Sequence, residues 1–553
     1  MPLIMINNII KRINPWLALL GGAVLLGVFL RLHGLGDSGI FFYDEALYLN
    51  HSLQAFDIIR GQHLAGFSDM WKAFFFYIHW PLNFTKPIWI LIVDSRFLFT
   101  QWNDWDYAKF ASCFFGVMTL PLLFYFTRRF FNSLAIACLA VAILALLPGH
   151  VFYSRIGLQE AFSAFVVLGG FYFYLFPRDF GKKTFLAGLF LGMAYLANYR
   201  LIILPGLLIA TELWFGLVAK EGIRWRHLVW TCVTFLAVMV IVGSLLGGAQ
   251  IRYTFAWVFH QQDMAVSKRL WTEILAYPYY LFRLENPILA GFFFASVYFL
   301  IKRRWVLAWP FGIVCLQMLL FSTATDRGAR YIAIVLPFMA MSSAALIYEV
   351  ISGTRTKLKN NFVRVPALFR KIILGVVLAV MFGGMVWRSA QLVSDVSAYR
   401  PSVEYLLEKD PDVKFVSTQD LVQRLYVNDR RNVLPVPDDV MVLFQDYVQG
   451  YRYLVLDPQG YISFTGNEYK WGLPLKGYVG FIERAVPPIK TFDHFNRAVM
   501  ERVVFEHSDH LFQSIRFLDS PDLAKMSSLR VYDMSVVMRA LSGVMDKAQH
   551  QRK

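Results

Sequence analysis

Two adjacent acids, Asp44 and Glu45, stand in the stretch Gly39-Ile-Phe-Phe-Tyr-Asp-Glu-Ala-Leu-Tyr48, framed by Tyr43 and Tyr48. They come just after the first long apolar run of a chain that is otherwise mostly apolar or basic. A desolvated carboxylate near cations can be tuned to take a proton from an attacking hydroxyl. The same residue types also start helices, Asp44 as an N-cap and Glu45 in a first turn. With two acids present, one can cap while the other reacts, and residue type alone does not separate them.

Other residues supply cations. In Thr85-Lys-Pro-Ile-Trp, Pro87 fits the first position of a helix, which puts Lys86 at a helix N-terminus that favours anions. Lys86 is a candidate phosphate ligand; its plainer role is snorkelling to the membrane interface. Arg330, in Thr325-Asp-Arg-Gly-Ala-Arg-Tyr331, opens an apolar run. Guanidinium geometry suits phosphate, and a salt bridge to Asp326 is the alternative. Arg155 and Glu160 lie in Tyr153-Ser-Arg-Ile-Gly-Leu-Gln-Glu-Ala161. A Glu that starts a span needs a watery cavity or a cation, or else serves as a helix N-terminal acid.

The elements that position these residues are mostly membrane spans. The chain is 57% hydrophobic and carries a formal net charge of +16, with a mean hydropathy of +0.47, which points to a polytopic membrane protein. Basic excess in such a chain lies in cytoplasmic loops and implies no nucleic acid. About eleven runs approach the length of ~20 apolar residues that a span needs: 15–32, 107–126, 133–150, 160–176, 184–198, 201–219, 228–248, 287–301, 305–322, 331–350 and 372–388. The first run could pass for a signal peptide, but no small-x-small site precedes Arg31.

With the N-terminus inside, the inner loops hold Lys11-Arg12, Arg128-Arg129, Arg178 with Lys182-Lys183, Lys220, Arg224, Arg226, Lys302-Arg303-Arg304 and the basic stretch 355–371. The short outer loops hold only Arg155, Arg200, Arg327 and Arg330, so the positive-inside rule sets this orientation. Arg31, Asp44, Glu45, Lys86, Arg155, Glu160, Asn198, Arg200, Asp326, Arg327 and Arg330 then share the outer face. Two long outer loops result, 33–106 and 249–286. In the first, 46–59 reads as an amphipathic surface helix and Trp71–Trp80 as a second such piece; Trp71, Trp80, Trp89, Trp102 and Trp105 suit the interface. The second, with Asp263, Lys268, Arg269, Tyr277, Tyr279 and Tyr280, could be a lid or merely surface.

From about 395 the pattern changes. Strands at Lys414–Thr418, Asn432–Val436 and Tyr453–Asp457 alternate with helices, followed by elements at Asn496–Val504 and Leu529–Asp533. This predicts an outer α/β domain over 395–553, with a mostly parallel sheet, after a membrane module over 1–394. No G-x-G-x-x-G follows a strand, and the four cysteines show no metal or disulfide spacing. A transporter would more often show internal repeats and ionisable groups near the membrane midplane; here there is no repeat and the ionisable groups share one face. A non-catalytic glycan-binding scaffold leaves those outer-face bases unexplained.

These motifs resemble the GT-C superfamily of membrane glycosyltransferases, and most closely the branch of protein O-mannosyltransferases and the lipid A aminoarabinose transferase. The resemblance rests on Arg31 with Asp44-Glu45-Ala-Leu-Tyr48, on Lys86-Pro87, on Pro148-Gly-His-Val-Phe-Tyr-Ser-Arg-Ile-Gly-Leu-Gln-Glu160, and on Arg330-Tyr331 with Pro337. It covers most of 10–390; the acidic pair with Ala-x-Tyr is its most specific part. The family usually has Asp where this chain has Glu160, and Lys-Pro-Pro where it has Lys86-Pro-Ile88.

The resemblance implies an integral-membrane glycosyltransferase with a polyprenyl-phosphate sugar donor, transfer on the outer side with inversion, and a lipid, protein or glycan acceptor. It implies Asp44 as base, with Glu45 or Glu160 orienting acceptor or metal. Lys86 and Arg330 would hold the leaving phosphate, with Arg155, Tyr331 and Arg31 alongside. Nothing fixes whether a divalent metal is needed; if one is held, Asp44 and Glu160 are its ligands. The expected location is a bacterial or archaeal plasma membrane, with the N-terminus cytoplasmic.

Overall fold

The computed structural model describes residues 14–50, 52, 86–95, 104–176, 181–245, 248, 250–252, 254–255, 274–322, 328–353, 367–460, 462–465, 468–471, 477–506, 511–521, 523–524 and 527–550. Among the described residues, all the apolar runs expected to span fall mainly on helices. Seven are long and apolar enough to cross a bilayer: Pro15–Leu32, Asp106–Phe131, Tyr199–Val218, Trp225–Leu245, Trp305–Ser322, Ala329–Gly353 and Lys371–Val393. Three more, Leu134–Leu146, Glu160–Leu175 and Pro287–Ile301, are apolar but shorter. The expected number of about eleven therefore exceeds what length and composition support by themselves.

The Leu134–Leu146 helix shows why a short helix can serve here. Twelve of its residues are buried, so it is apolar all round and lies at the centre of the bundle. It packs against Pro15–Leu32, Asp104–Phe131 and Leu336–Gly353. Outer helices instead expose large apolar side chains such as Leu25, Ile241 and Trp387, which only a lipid environment makes favourable.

The chain leaves the Pro15–Leu32 helix, turns through 33–42 and enters a helix at 43–50. Gly39 sits at φ +70°, and a Cβ there would lie 2.2 Å from the Ser397 hydroxyl. The Ser397 amide donates to the Ser38 carbonyl at 3.0 Å, and the rings of Phe41 and Phe495 stack with centroids 5.3 Å apart. The 43–50 helix is thus covered by protein, with Ala46, Leu49 and Asn50 buried and Asn50 donating to the Leu421 carbonyl at 2.6 Å. The rest of the expected surface helix, and the Trp71–Trp80 piece, lie outside the described residues. Trp89, expected at the interface, is fully buried and donates to the Gly157 carbonyl at 3.2 Å.

The C-terminal part holds a five-stranded sheet of β1 (Phe415–Ser417), β2 (Val433–Pro435), β3 (Tyr453–Leu456), β6 (Lys490–Asp493) and β7 (Ser528–Asp533), in the order β2-β1-β3-β7-β6. A separate hairpin joins β4 (Ile462–Thr465) and β5 (Glu468–Trp471). β1 pairs in parallel with β2 and β3, whereas β7 runs antiparallel to both β3 and β6. The sheet is therefore mixed rather than mostly parallel. β6 escapes sequence reading because it is a short edge strand with an exposed pattern. The element expected at Asn496–Val504 is the helix Arg497–Glu506.

The apolar core does not break at residue 395. Tyr399, Val403, Phe415, Val455, Val499 and Val503 belong to the same buried cluster as the membrane helices. A second cluster, with Val416, Leu443, Leu454, Ile482 and Tyr532, lies on the other side of the sheet.

Candidate active site

Asp44, Lys86, Glu160 and Arg330 come together at the end of the bundle where the first helix stops. The Arg330 Nη1 donates to Asp44 Oδ2 at 2.8 Å, and the Lys86 ammonium lies 3.8 Å from the same oxygen. Lys86 precedes the helix Pro87–Asp94, with Pro87 at its first position as the sequence suggests. Its ammonium sits over the Tyr48 ring, 5.1 Å from the centroid. Burial pushes the Lys86 amine down to about 8; Asp44 and Glu160 raise it, while Arg330 and Arg200 lower it further. Arg200 lies over the Tyr331 ring at 4.4 Å, and Arg330 is 5.6 Å from the same centroid. Both guanidinium groups thus lie within cation–π range of the Tyr331 ring.

The two neighbouring acids occupy different environments. The Asp44 side chain is 33% exposed, whereas Glu45 is fully buried. Glu45 Oε1 accepts from the amides of Phe41 and Phe42, at 2.9 and 3.0 Å, and Oε2 accepts from the Gly157 amide at 2.7 Å. Burial raises its pKa, while Lys109 and the three amides pull it back. Lys109 in turn donates to the Ser38 hydroxyl at 2.9 Å and to the Gly39 carbonyl. Glu45 is a latch between the 39–42 turn and the 154–160 turn. Sequence reading passed over Lys109, though a lysine at the outer end of a span carries the same positive-inside signal as Arg330.

Arg31 and Arg155 form a second network. Arg31 donates to the carbonyls of Gly27 at 2.7 Å and Ala145 at 2.8 Å, and lies 2.7 Å from His150 Nδ1. Arg155 donates to the carbonyls of Leu30, Arg31 and His33 at 3.0, 2.9 and 2.7 Å. Each cation therefore sits at the C-terminus of a helix, where unpaired carbonyls and the macrodipole favour it. These contacts are with backbone and His150, not with the Asp44 cluster.

Glu160 opens its helix, and its Oε1 accepts from the Gln159 side chain at 2.9 Å. Its buried Oε2 has no hydrogen-bond partner among the described residues. Among those residues no group of three or more His, Cys, Asp or Glu side chains is arranged to hold a metal ion. Asp44 and Glu160 are the two carboxylates of this cluster, and a divalent ion held by them would have to complete its shell with water and phosphate oxygens.

Asn198 caps the short helix carrying Arg200, its Oδ1 accepting from the Arg200 amide at 3.2 Å. In the second long loop Tyr277 and Tyr280 are buried, Tyr280 against Phe505 at 4.8 Å; Asp263, Lys268 and Arg269, like Asp326 and Arg327, lie outside the described residues. Sequence reading also missed Glu506, which lies 3.6 Å from Arg330 Nε.

No family model matches this chain, and no curated protein matches its sequence. Solved structures do share its fold. ArnT from Cupriavidus metallidurans bound to undecaprenyl phosphate aligns over 84% of this chain and 99% of its own, with a TM-score of 0.55 at 16% identity. The archaeal oligosaccharyltransferase AglB from Archaeoglobus fulgidus, in complex with an inhibitory peptide and a dolichol-phosphate, aligns over 80% of this chain and 69% of its own, with a TM-score of 0.53 at 13% identity. A complex of the Archaeoglobus fulgidus oligosaccharyltransferase with Zn and sulfate gives a TM-score of 0.52 at 14% identity, over 80% and 68% of the two chains. The chain thus shares the fold of ArnT and of the Archaeoglobus oligosaccharyltransferase. With its seven long apolar helices, the chain is an integral membrane protein.

Proposed function

We propose that this protein transfers a sugar from a polyprenyl-phosphate donor to an acceptor hydroxyl on the outer side of the membrane, with inversion at the anomeric carbon. The observation that carries the reading is the Asp44 carboxylate, partly open and bracketed by Arg330 at 2.8 Å and Lys86 at 3.8 Å. The dolichol-phosphate and inhibitory peptide of the AglB complex and the undecaprenyl phosphate of the ArnT complex support the same kind of chemistry.

In this reading the donor phosphate draws Lys86 and Arg330 away from Asp44, which frees the carboxylate to act as base. Asp44 takes the proton of the acceptor hydroxyl as its oxygen attacks the anomeric carbon. The bond from that carbon to the phosphate oxygen breaks, and the electron pair leaves with the polyprenyl phosphate. Preorganised cations in a partly desolvated site stabilise that leaving charge far better than water does. Arg200, held on the Tyr331 ring beside Arg330, adds a further positive charge near the phosphate. Glu160, through its buried Oε2, orients the acceptor. A divalent metal on Asp44 and Glu160 would add Lewis-acid stabilisation of the phosphate. Glu45, Arg31 and Arg155 hold the turns and helix ends that frame the site. The orientation, with the 395–553 domain outside, follows the basic loops.

The test is Asp44→Asn in the purified, membrane-inserted protein. Transfer from a radiolabelled polyprenyl-phosphate sugar should be lost while insertion and thermal unfolding stay unchanged. Full activity in this variant removes Asp44 from the chemistry.

A further inference from the structure

The Arg497–Glu506 helix belongs to the C-terminal layer, yet its last residue reaches the Asp44 cluster. Glu506 Oε2 lies 3.6 Å from Arg330 Nε, and Oε1 accepts from the Tyr153 hydroxyl. The side chain is 2% exposed. A carboxylate on the last residue of a helix faces the negative end of the macrodipole, and burial adds a desolvation cost. Such a position is stable only against a cation. Gly328 makes room for the approach, since a Cβ there would lie 2.9 Å from Glu506 Oε2.

The helix is held in place at two further points. Arg502 pairs with Glu285 at 3.1 Å and donates to the Leu284 carbonyl at 2.9 Å. Glu501 pairs with Arg283 at 2.6 Å and with Arg388 at 2.5 Å. Glu285 also accepts from the Gly149 amide at 2.7 Å, at the start of the Pro148–Tyr153 helix that ends on Tyr153. One framework therefore fixes both Glu506 and its tyrosine partner.

We propose that Glu506 is a positioning residue for the transfer reaction: from the C-terminal layer it anchors the Nε side of Arg330, leaving the Nη side to serve Asp44 and the departing phosphate. The proposal rests on the glycosyl-transfer reading above. Arg330 with Asp44 alone could close into a bidentate pair, which would occupy the base and lower its proton affinity. With Glu506 on its other side, the guanidinium can turn from Asp44 to phosphate without losing its anchor.

The experiment compares the full-length protein with Glu506→Gln, Glu506→Asp, Arg330→Ala and the double variant Glu506→Gln/Arg330→Ala, in proteoliposomes, with a polyprenyl-phosphate sugar, from pH 5 to 9. Glu506→Gln should lower kcat about tenfold or more, on the scale of one misplaced catalytic group. The acid limb of kcat/KM should move to lower pH, because Asp44 loses a neighbouring negative charge and keeps Arg330. Glu506→Asp should recover part of the loss. On the Arg330→Ala background the same substitution should cost less than about twofold, since residues acting as a unit are not additive.

An unmoved acid limb, a kcat within about twofold of the unaltered protein, or an equal loss on the Arg330→Ala background overturns the proposal. If Glu506→Gln does not fold, Gly328→Ala displaces the same carboxylate without removing its charge; it should lower kcat about tenfold on the Arg330 background and less than about twofold on the Arg330→Ala background, and any other result overturns the proposal. An unaltered protein that transfers no sugar overturns the parent reading and this one together. An active protein indifferent to Glu506 overturns this one alone.

Discussion

Replacing Lys86 by methionine removes the ammonium that sits 3.8 Å from Asp44 while keeping most of the stem that covers Tyr48. In the free protein burial brings the amine from 10.5 to about 8. At ~1.4 kcal/mol per unit, that corresponds to roughly 3 kcal/mol of work against holding the charge there. A phosphate oxygen at about 4 Å would offset it, since one unit charge at that range and an effective dielectric near 20 contributes ~4 kcal/mol.

The expected pH behaviour follows from the sign of the shift. Lys86 holds phosphate only when protonated, so kcat/KM, which reports the free enzyme, should fall as pH rises through about 8. The limb in kcat should lie higher, because bound phosphate favours the charged amine. Lys86→Met should lower kcat/KM by about 100-fold, equivalent to ~3 kcal/mol, and abolish the limb near pH 8. Lys86→Arg should move the limb out of range, because a guanidinium stays charged. The assay is sugar transfer from a radiolabelled polyprenyl-phosphate donor between pH 6 and 10. A limb that persists in Lys86→Met, or a loss under about threefold, would refute the reasoning.

Glu45→Ala strands three buried amides and removes the strongest acidic neighbour of Lys109. At about 1–3 kcal/mol for each stranded group, the variant should be recovered poorly and unfold well below the parent, and unchanged thermal stability in detergent would contradict the latch. Gly39→Ala meets both a positive φ and the Ser397 hydroxyl at 2.2 Å, so it should destabilise by at least ~1–2 kcal/mol, with partial recovery in Gly39→Ala/Ser397→Ala. Val448 is 84% exposed in the C-terminal layer, and Val448→Cys in whole cells should react with a membrane-impermeant maleimide; protection until the cells are opened would reverse the proposed orientation.

The membrane character, the helical runs and the GT-C resemblance were legible in the sequence because each rests on local signals. Apolar length marks a helix in lipid, where the backbone has no other way to satisfy its hydrogen bonds. Pro87 marks a helix start by its fixed φ, and the structure has it there. Asp44, Lys86, Glu160 and Arg330 stood out because charge at the end of an apolar run needs a reason, and the fold draws them together.

What the sequence could not supply was any contact between distant elements. Asp44 and Glu45 are equivalent by type and adjacent in the chain; only the approach of the Gly157 amide and the 41–42 amides buries one and leaves the other partly open. Arg31 and Arg155 look like phosphate ligands by position, yet the ends of two packed helices present them with carbonyls. The strand order with β7 between β3 and β6 follows from no local pattern, since pairing partners are chosen by packing across the chain. Glu506 lies 176 residues from Arg330. Sequence placed these charges on one face of the molecule; tertiary packing decided which carboxylate stands beside which cation, because burial and distance set those energies.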